Sequence, residues 1–217
     1  MQSHAQLPTV LKLENDLFRI YFASRNKENI SQIGYFEIDI KEPNKIINYT
    51  KEPIVKNGDI GFFDEHGVYP SSIIKINDKH YMYYIGWNKG HKPPLFYASI
   101  GLAISEDGGV SFKKYSKAPI MSRSKHDPCL VTAPSVYEID GKGGYHMLYT
   151  SGYKWEETEE YGLRSFYHTK YAFSSDGIHW EREGKVALGL EHNEQNIARV
   201  STFKLSNKFF IYSCSTR

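Results

Sequence analysis

Four segments of the chain read as one and the same hairpin: HAQLPTVLKLENDLFRIYFASR, GFFDEHGVYPSSIIKINDKHYMYYIGW, VTAPSVYEIDGKGGYHMLYTSG and IARVSTFKLSNKFFIYSCSTR. Each has a strand-start position, an alternating apolar run, a turn and a returning strand. The strand-start residues Pro8, Pro70, Pro134 and Val200 lie 62, 64 and 66 residues apart. The second-strand tyrosines Tyr21, Tyr83, Tyr149 and Tyr212 repeat at 62, 66 and 63. Two independent landmarks with nearly one period point to a repeat architecture. Asn77-Asp78 suits a tight hairpin because both residues tolerate left-handed backbone angles. Gly141-Lys142-Gly143-Gly144 reads as a hairpin turn and not as a nucleotide loop.

Each repeat continues beyond its hairpin. A third strand is expected at Gln32–Ile38, Ser99–Ser105 and Thr169–Ser175, and a short fourth begins near Phe112 and near Trp180. The stretch from Lys154 to His168 reads as a solvated loop. Four antiparallel strands in about 65 residues make one blade of a β-propeller. The expected fold is therefore all-β: a five-bladed β-propeller, apparently incomplete, in a single domain. Its blades fall near 1–50, 51–118, 119–187 and, in part, 188–217. Five such blades need roughly 320 residues, and 217 hold about three and a half. The Lys208–Ser215 strand is then an open edge, which invites association. A homo-oligomer that completes or covers the open edge is the expectation.

Composition excludes several functions. The 17 Tyr and 12 Phe favour strands. A net charge of +2, with both signs interspersed, makes no case for a nucleic acid or an anionic membrane as partner. No apolar run approaches the ~20 residues of a membrane span. The opening MQSHAQLP lacks a basic segment followed by an apolar one, and the two cysteines have no ligand spacing, so a cytoplasmic protein with reduced thiols is expected. There is no zinc motif, phosphate-binding glycine loop or GxSxG elbow, and no cofactor or metal is expected.

Two local signals resemble the Asp box of sialidase-like propellers, S-x-D-x-G-x-x-W: Ser105 to Phe112, and Ser174 to Trp180, one residue shorter. Asp caps such a turn through backbone amides and Gly takes positive φ, so these residues are read as structural. Chemistry is expected instead where the innermost strands begin, because these line the central channel. Asp64 lies six residues before Pro70 and Glu194 six before Val200. In a five-bladed ring the two carboxylates would face each other at roughly 6–10 Å, overlapping the separation in inverting glycosidases. Solvated loop carboxylates are the competing reading.

The pattern HAQLP, FDEHGVYPSS, YIGWN, IGLAISEDGGVSF, YAFSSDGIHW and NIAR resembles the five-bladed propellers of the glycosidase superfamily: arabinanases, β-xylosidases, invertases, levansucrases and β-mannoside phosphorylases. It is most similar to bacterial relatives associated with surface-polysaccharide clusters. The resemblance implies a carbohydrate substrate and acidic residues at the starts of inner strands. Carried over, blade two offers Asp64, blade four Glu194, and blade three Asp127 as a weaker candidate. Blade one departs from the pattern, with His4 and Gln6 where the hydrolases carry an Asp beside Pro; a histidine there serves as base near neutral pH, or binds an anion once protonated. Arg25 and Arg217 end the second strands of blades one and four, while Trp87 and Trp155 follow those of blades two and three. Such rim residues stack on sugars or bind anions, with rim packing and solvated ion pairs as the competing reading. Arg199, beside the start of blade four, suits a phosphate-dependent phosphorylase. A hydrolase is the principal reading, with a non-catalytic sugar-binding propeller or a phosphorylase as alternatives.

Overall fold

The computed structural model describes residues 3–139, 142–206 and 208–216. Arg217 and Gly141, both singled out above, lie outside them. Blade one is a four-stranded antiparallel sheet of β1 (Ser3–Lys12), β2 (Leu17–Arg25), β3 (Ser31–Asp39) and β4 (Ile46–Tyr49). Blade two repeats it with β5 (Val68–Ile76), β6 (Lys79–Lys89), β7 (Phe96–Ser105) and β8 (Lys113–Lys114). Blade three has β9 (Leu130–Glu138), β10 (Tyr145–Thr158), β11 (Gly162–Ser174) and a short β12 (Val186–Leu188). The hairpin of β13 (Asn196–Leu205) and β14 (Lys208–Thr216) begins a fourth blade and touches β11 through one parallel pair, Tyr167 and Asn196. No sheet closes on itself among the described residues. The fold is an all-β, incomplete propeller.

The core lies between blades, which explains the unbroken apolar run of β6. Successive side chains of a strand point to opposite faces. Met82 and Tyr84 pack on Tyr21, Ile33 and Tyr35 of blade one, while Tyr83 packs on Met147 and Tyr149 of blade three. A strand covered on both sides has no polar face to alternate with. Where that cover ends, exposure returns: on β14 Phe210, Ile211 and Tyr212 are open to solvent.

The Asp boxes are structural, and they join neighbouring blades. Ser105 Oγ accepts the Gly109 amide and Asp107 accepts the amides of Val110 and Ser111. Partial burial opposes ionisation of Asp107, but hydrogen bonds from Ser111, Ser105 and Val110 outweigh it and hold its pKa down to about 2. Tyr21 of blade one donates to the Gly109 carbonyl of blade two, and Tyr83 of blade two donates to the Gly177 carbonyl of blade three, at 2.8 and 2.7 Å. A buried phenol requires such a partner. Gly109 and Gly177 have φ of +83° and +76°, and a Cβ on either would lie within 3 Å of the tyrosine oxygen.

Two sequence expectations need correction. The blade-three counterpart of Tyr21 and Tyr83 is Leu148, which faces Ile197 and Val200 of blade four; Tyr149 faces back toward blade two, as Tyr84 faces blade one. One residue of offset exchanges the faces of a strand. The stretch from Lys154 to His168 is also not an irregular loop. It extends β10 and β11 into a long hairpin whose register runs from Lys154–Phe166 to Thr158–Gly162. Tyr153 stacks on His168 at 4.8 Å across it, a cross-strand aromatic pair that holds a polar ribbon together.

Candidate functional site

The inner strands β1, β5 and β9 begin around a cavity of about 510 Å³. Leu7, Tyr69 and Thr132 line it from these three strands, and the β6–β7 hairpin forms its wall through Trp87, Lys89 and Phe96. Its volume suits a small organic ligand. Arg25, at the end of β2, points into it. Its guanidinium is oriented by three neutral groups: Nε donates to Gln6 Oε1 at 3.2 Å, Nη1 to Asn29 Oδ1 at 2.9 Å and Nη2 to the Tyr69 hydroxyl at 2.9 Å. Blades one and two are thereby tied together at the rim, and among the described residues no carboxylate pairs with the guanidinium.

Trp87 stands in the wall because the second strand of blade two runs past the body of the sheet. Its indole donates to Ser31 Oγ at 3.3 Å, and the His66 ring lies 5.9 Å away. Trp155 sits on the extended β10 hairpin and meets Phe96 edge-on at 5.7 Å. The hairpin is clasped to the wall by an ion pair between Glu157 and Lys92. Arg25 and Trp87 therefore line one opening, with Gln6 behind Arg25 and Trp155 packed outside the lining against Phe96.

Arg199, just before Val200 on β13, reaches the other blades. Nη1 donates to the Pro8 carbonyl at 3.0 Å, and Nη2 to Thr9 Oγ1 at 3.1 Å and the Ser71 carbonyl at 2.8 Å. It therefore links blade four to the inner strands of blades one and two. Burial lowers its pKa, because its acceptors are neutral.

The expected carboxylates lie outside the lining of this cavity. Asp64, 1% exposed, accepts the Tyr84 hydroxyl at 3.2 Å and pairs with Lys114 of the outer strand β8. Asp127 is fully buried, pairs with Lys170 and Arg182, and accepts Tyr149, Ser151 and Ser124. Both bind a second-strand tyrosine and at least one cation from their own blade, and neither lines the cavity. Burial raises the pKa of Tyr84 and Tyr149, and the adjacent carboxylates add to it. Glu194 is half-buried in the turn before β13, where its Oε2 accepts the Glu191 amide at 2.9 Å. His4 is exposed, with φ of +67° and Nδ1 2.8 Å from Ser3 Oγ. None of these four lines the cavity.

Tyr69, Lys89 and Phe96 escaped the sequence reading. Tyr69 left a usable signal, since it precedes Pro70 as Arg199 precedes Val200. Lys89 and Phe96 left none. No group of three or more metal-binding side chains occurs among the described residues, and no helix there is long and apolar enough to cross a membrane.

No protein-family model matches the chain. An uncharacterized protein of Mycobacterium tuberculosis is 37% identical over 198 residues, covering 91% of this chain and 64% of that protein. The chain thus spans a little under two thirds of this relative. A β-1,2-mannobiose phosphorylase of Thermoanaerobacter is 26% identical over 114 residues, 49% of this chain and 37% of that enzyme. An α-L-arabinanase of Cellvibrio cellulosa, solved with arabinohexaose, superposes with a TM-score of 0.66 at 14% identity, over 99% of this chain and 70% of that one. The chain shares the propeller fold of this arabinanase structure.

Proposed function

We propose that the chain acts on a carbohydrate held in the mouth between blades one, two and three, as part of a glycoside hydrolase-like enzyme. The observation that carries this reading is the mouth itself: Trp87 and Tyr69 offer aromatic surface for a sugar ring, beside an oriented arginine. Glu194 is the group proposed as general acid, since of the three expected carboxylates it alone is accessible; because it lies outside the cavity lining, the role requires a sugar chain that extends from the mouth to the turn before β13. Asp64, His4 and Asp127 drop to supporting parts. A sugar-binding propeller without turnover is the second reading, favoured by the burial and pairing of Asp64. The exposed β13–β14 hairpin is the surface where copies of the chain, or other parts of a longer one, would associate.

A panel of neutral and acidic oligosaccharides, assayed for binding and for release of reducing sugar with and without phosphate, tests the proposal. Binding is expected to weaken about tenfold or more in Trp87→Ala, the equivalent of about 1.4 kcal/mol. Turnover without phosphate supports a hydrolase, phosphate dependence a phosphorylase, and binding alone the second reading. A panel with no binder sinks all three.

A further inference from the structure

We propose that the ligand of this mouth is an acidic sugar, one whose carboxylate or phosphate group sits on the Arg25 guanidinium with Lys89 beside it. This rests on the carbohydrate reading and narrows it. The charged residues lining the cavity are Arg25 and Lys89, both cationic, and no acid lines it among the described residues. Of the acids on the neighbouring hairpins, Glu157 pairs with Lys92 and Glu156 with Lys154 at 2.8 Å. Lys89 also borders the adjoining cleft of Glu28, Asp59 and Glu65, so Arg25 is the principal cation turned toward the ligand and Lys89 an auxiliary one.

Arg25 is built for anion recognition and not for a solvated surface. Its three neutral partners fix the plane of the guanidinium without neutralising it. A planar fork held in advance loses little freedom when it binds an oxyanion, and its bonds to one are charge-assisted. Arg199 adds to the same field, because its guanidinium is held by Pro8, Thr9 and Ser71, next to the cavity-lining Leu7 and Tyr69, again with neutral acceptors only. Positive groups around a concave, largely apolar opening focus the potential on whatever enters. A neutral sugar would leave that potential unused.

Titration calorimetry with matched ligands tests this: uronic acid oligosaccharides, sugar phosphates, their neutral hexose counterparts, and inorganic phosphate alone. One acidic class is expected to bind at least about tenfold more tightly than its neutral counterpart, with the preference shrinking as salt is raised. Which class does so identifies the anion. Arg25→Gln should abolish the preference and Lys89→Ala reduce it; Lys89 is exposed, so that variant keeps the test available should Arg25→Gln fail to fold. Equal or tighter binding of the neutral sugars overturns the inference and leaves the carbohydrate reading standing. Inorganic phosphate binding as tightly as the sugar anions also overturns it, in favour of a free-anion site. If no sugar of either kind binds, the carbohydrate reading fails and the inference with it.

Discussion

Asp127→Ala is expected to be the most destabilising single substitution near the channel, costing about 3–5 kcal/mol. The carboxylate takes hydrogen bonds from Tyr149, Ser151 and Ser124 while pairing with Lys170 and Arg182, the latter at 2.9 Å. Alanine would leave two cations inside the blade, one of them a lysine whose side chain is 7% exposed, with no acid to meet them. Against a typical total stability of about 5–15 kcal/mol, that is a large fraction. Asp127→Asn keeps the shape and some of the hydrogen bonds, so it should cost less while still lowering stability. Urea unfolding of the variants measures both. A loss below about 1 kcal/mol for Asp127→Ala would show that the network is not what holds blade three.

Glu194→Gln should lower turnover about 10²–10⁴-fold, the usual range for removing a general acid, with little change in stability. A glutamine oxygen can still accept the Glu191 amide, so the turn before β13 survives. Asp64→Asn gives the opposite pattern. It disturbs the pair with Lys114 and the bond from Tyr84, so stability falls along with any change in rate. Rates on the best substrate of the panel, read beside thermal melts, separate the two residues. Unaltered turnover in Glu194→Gln would remove that residue from the mechanism.

The elements read from sequence are those whose causes are local. The hairpin turn at Asn77, with φ of +54°, and the two Asp boxes depend on residues within a few positions, and their residue types announce them. Tyr149 was misregistered because Leu148 and Tyr149 are both apolar in a strand covered on both faces, so no polar neighbour marks which faces which blade. The partners of Asp64 and Asp127 are hidden in the sequence for a different reason. A carboxylate's role depends on its partner, and Lys114 lies 50 residues beyond Asp64, as Arg182 lies 55 beyond Asp127. The extended β10–β11 hairpin was hidden by its acidic composition, since its aromatic stacking appears only once the strands are in register. Arg25 and Trp87 stand 62 residues apart, so the period alone marks their shared place at the end of a second strand.

The central claim is that the mouth between blades one, two and three holds the carbohydrate, and a crystal structure with a bound oligosaccharide tests it most directly. The expected result is a sugar ring against Trp87 and Tyr69, with an acidic group on Arg25. A sugar bound elsewhere with that mouth empty would contradict the account.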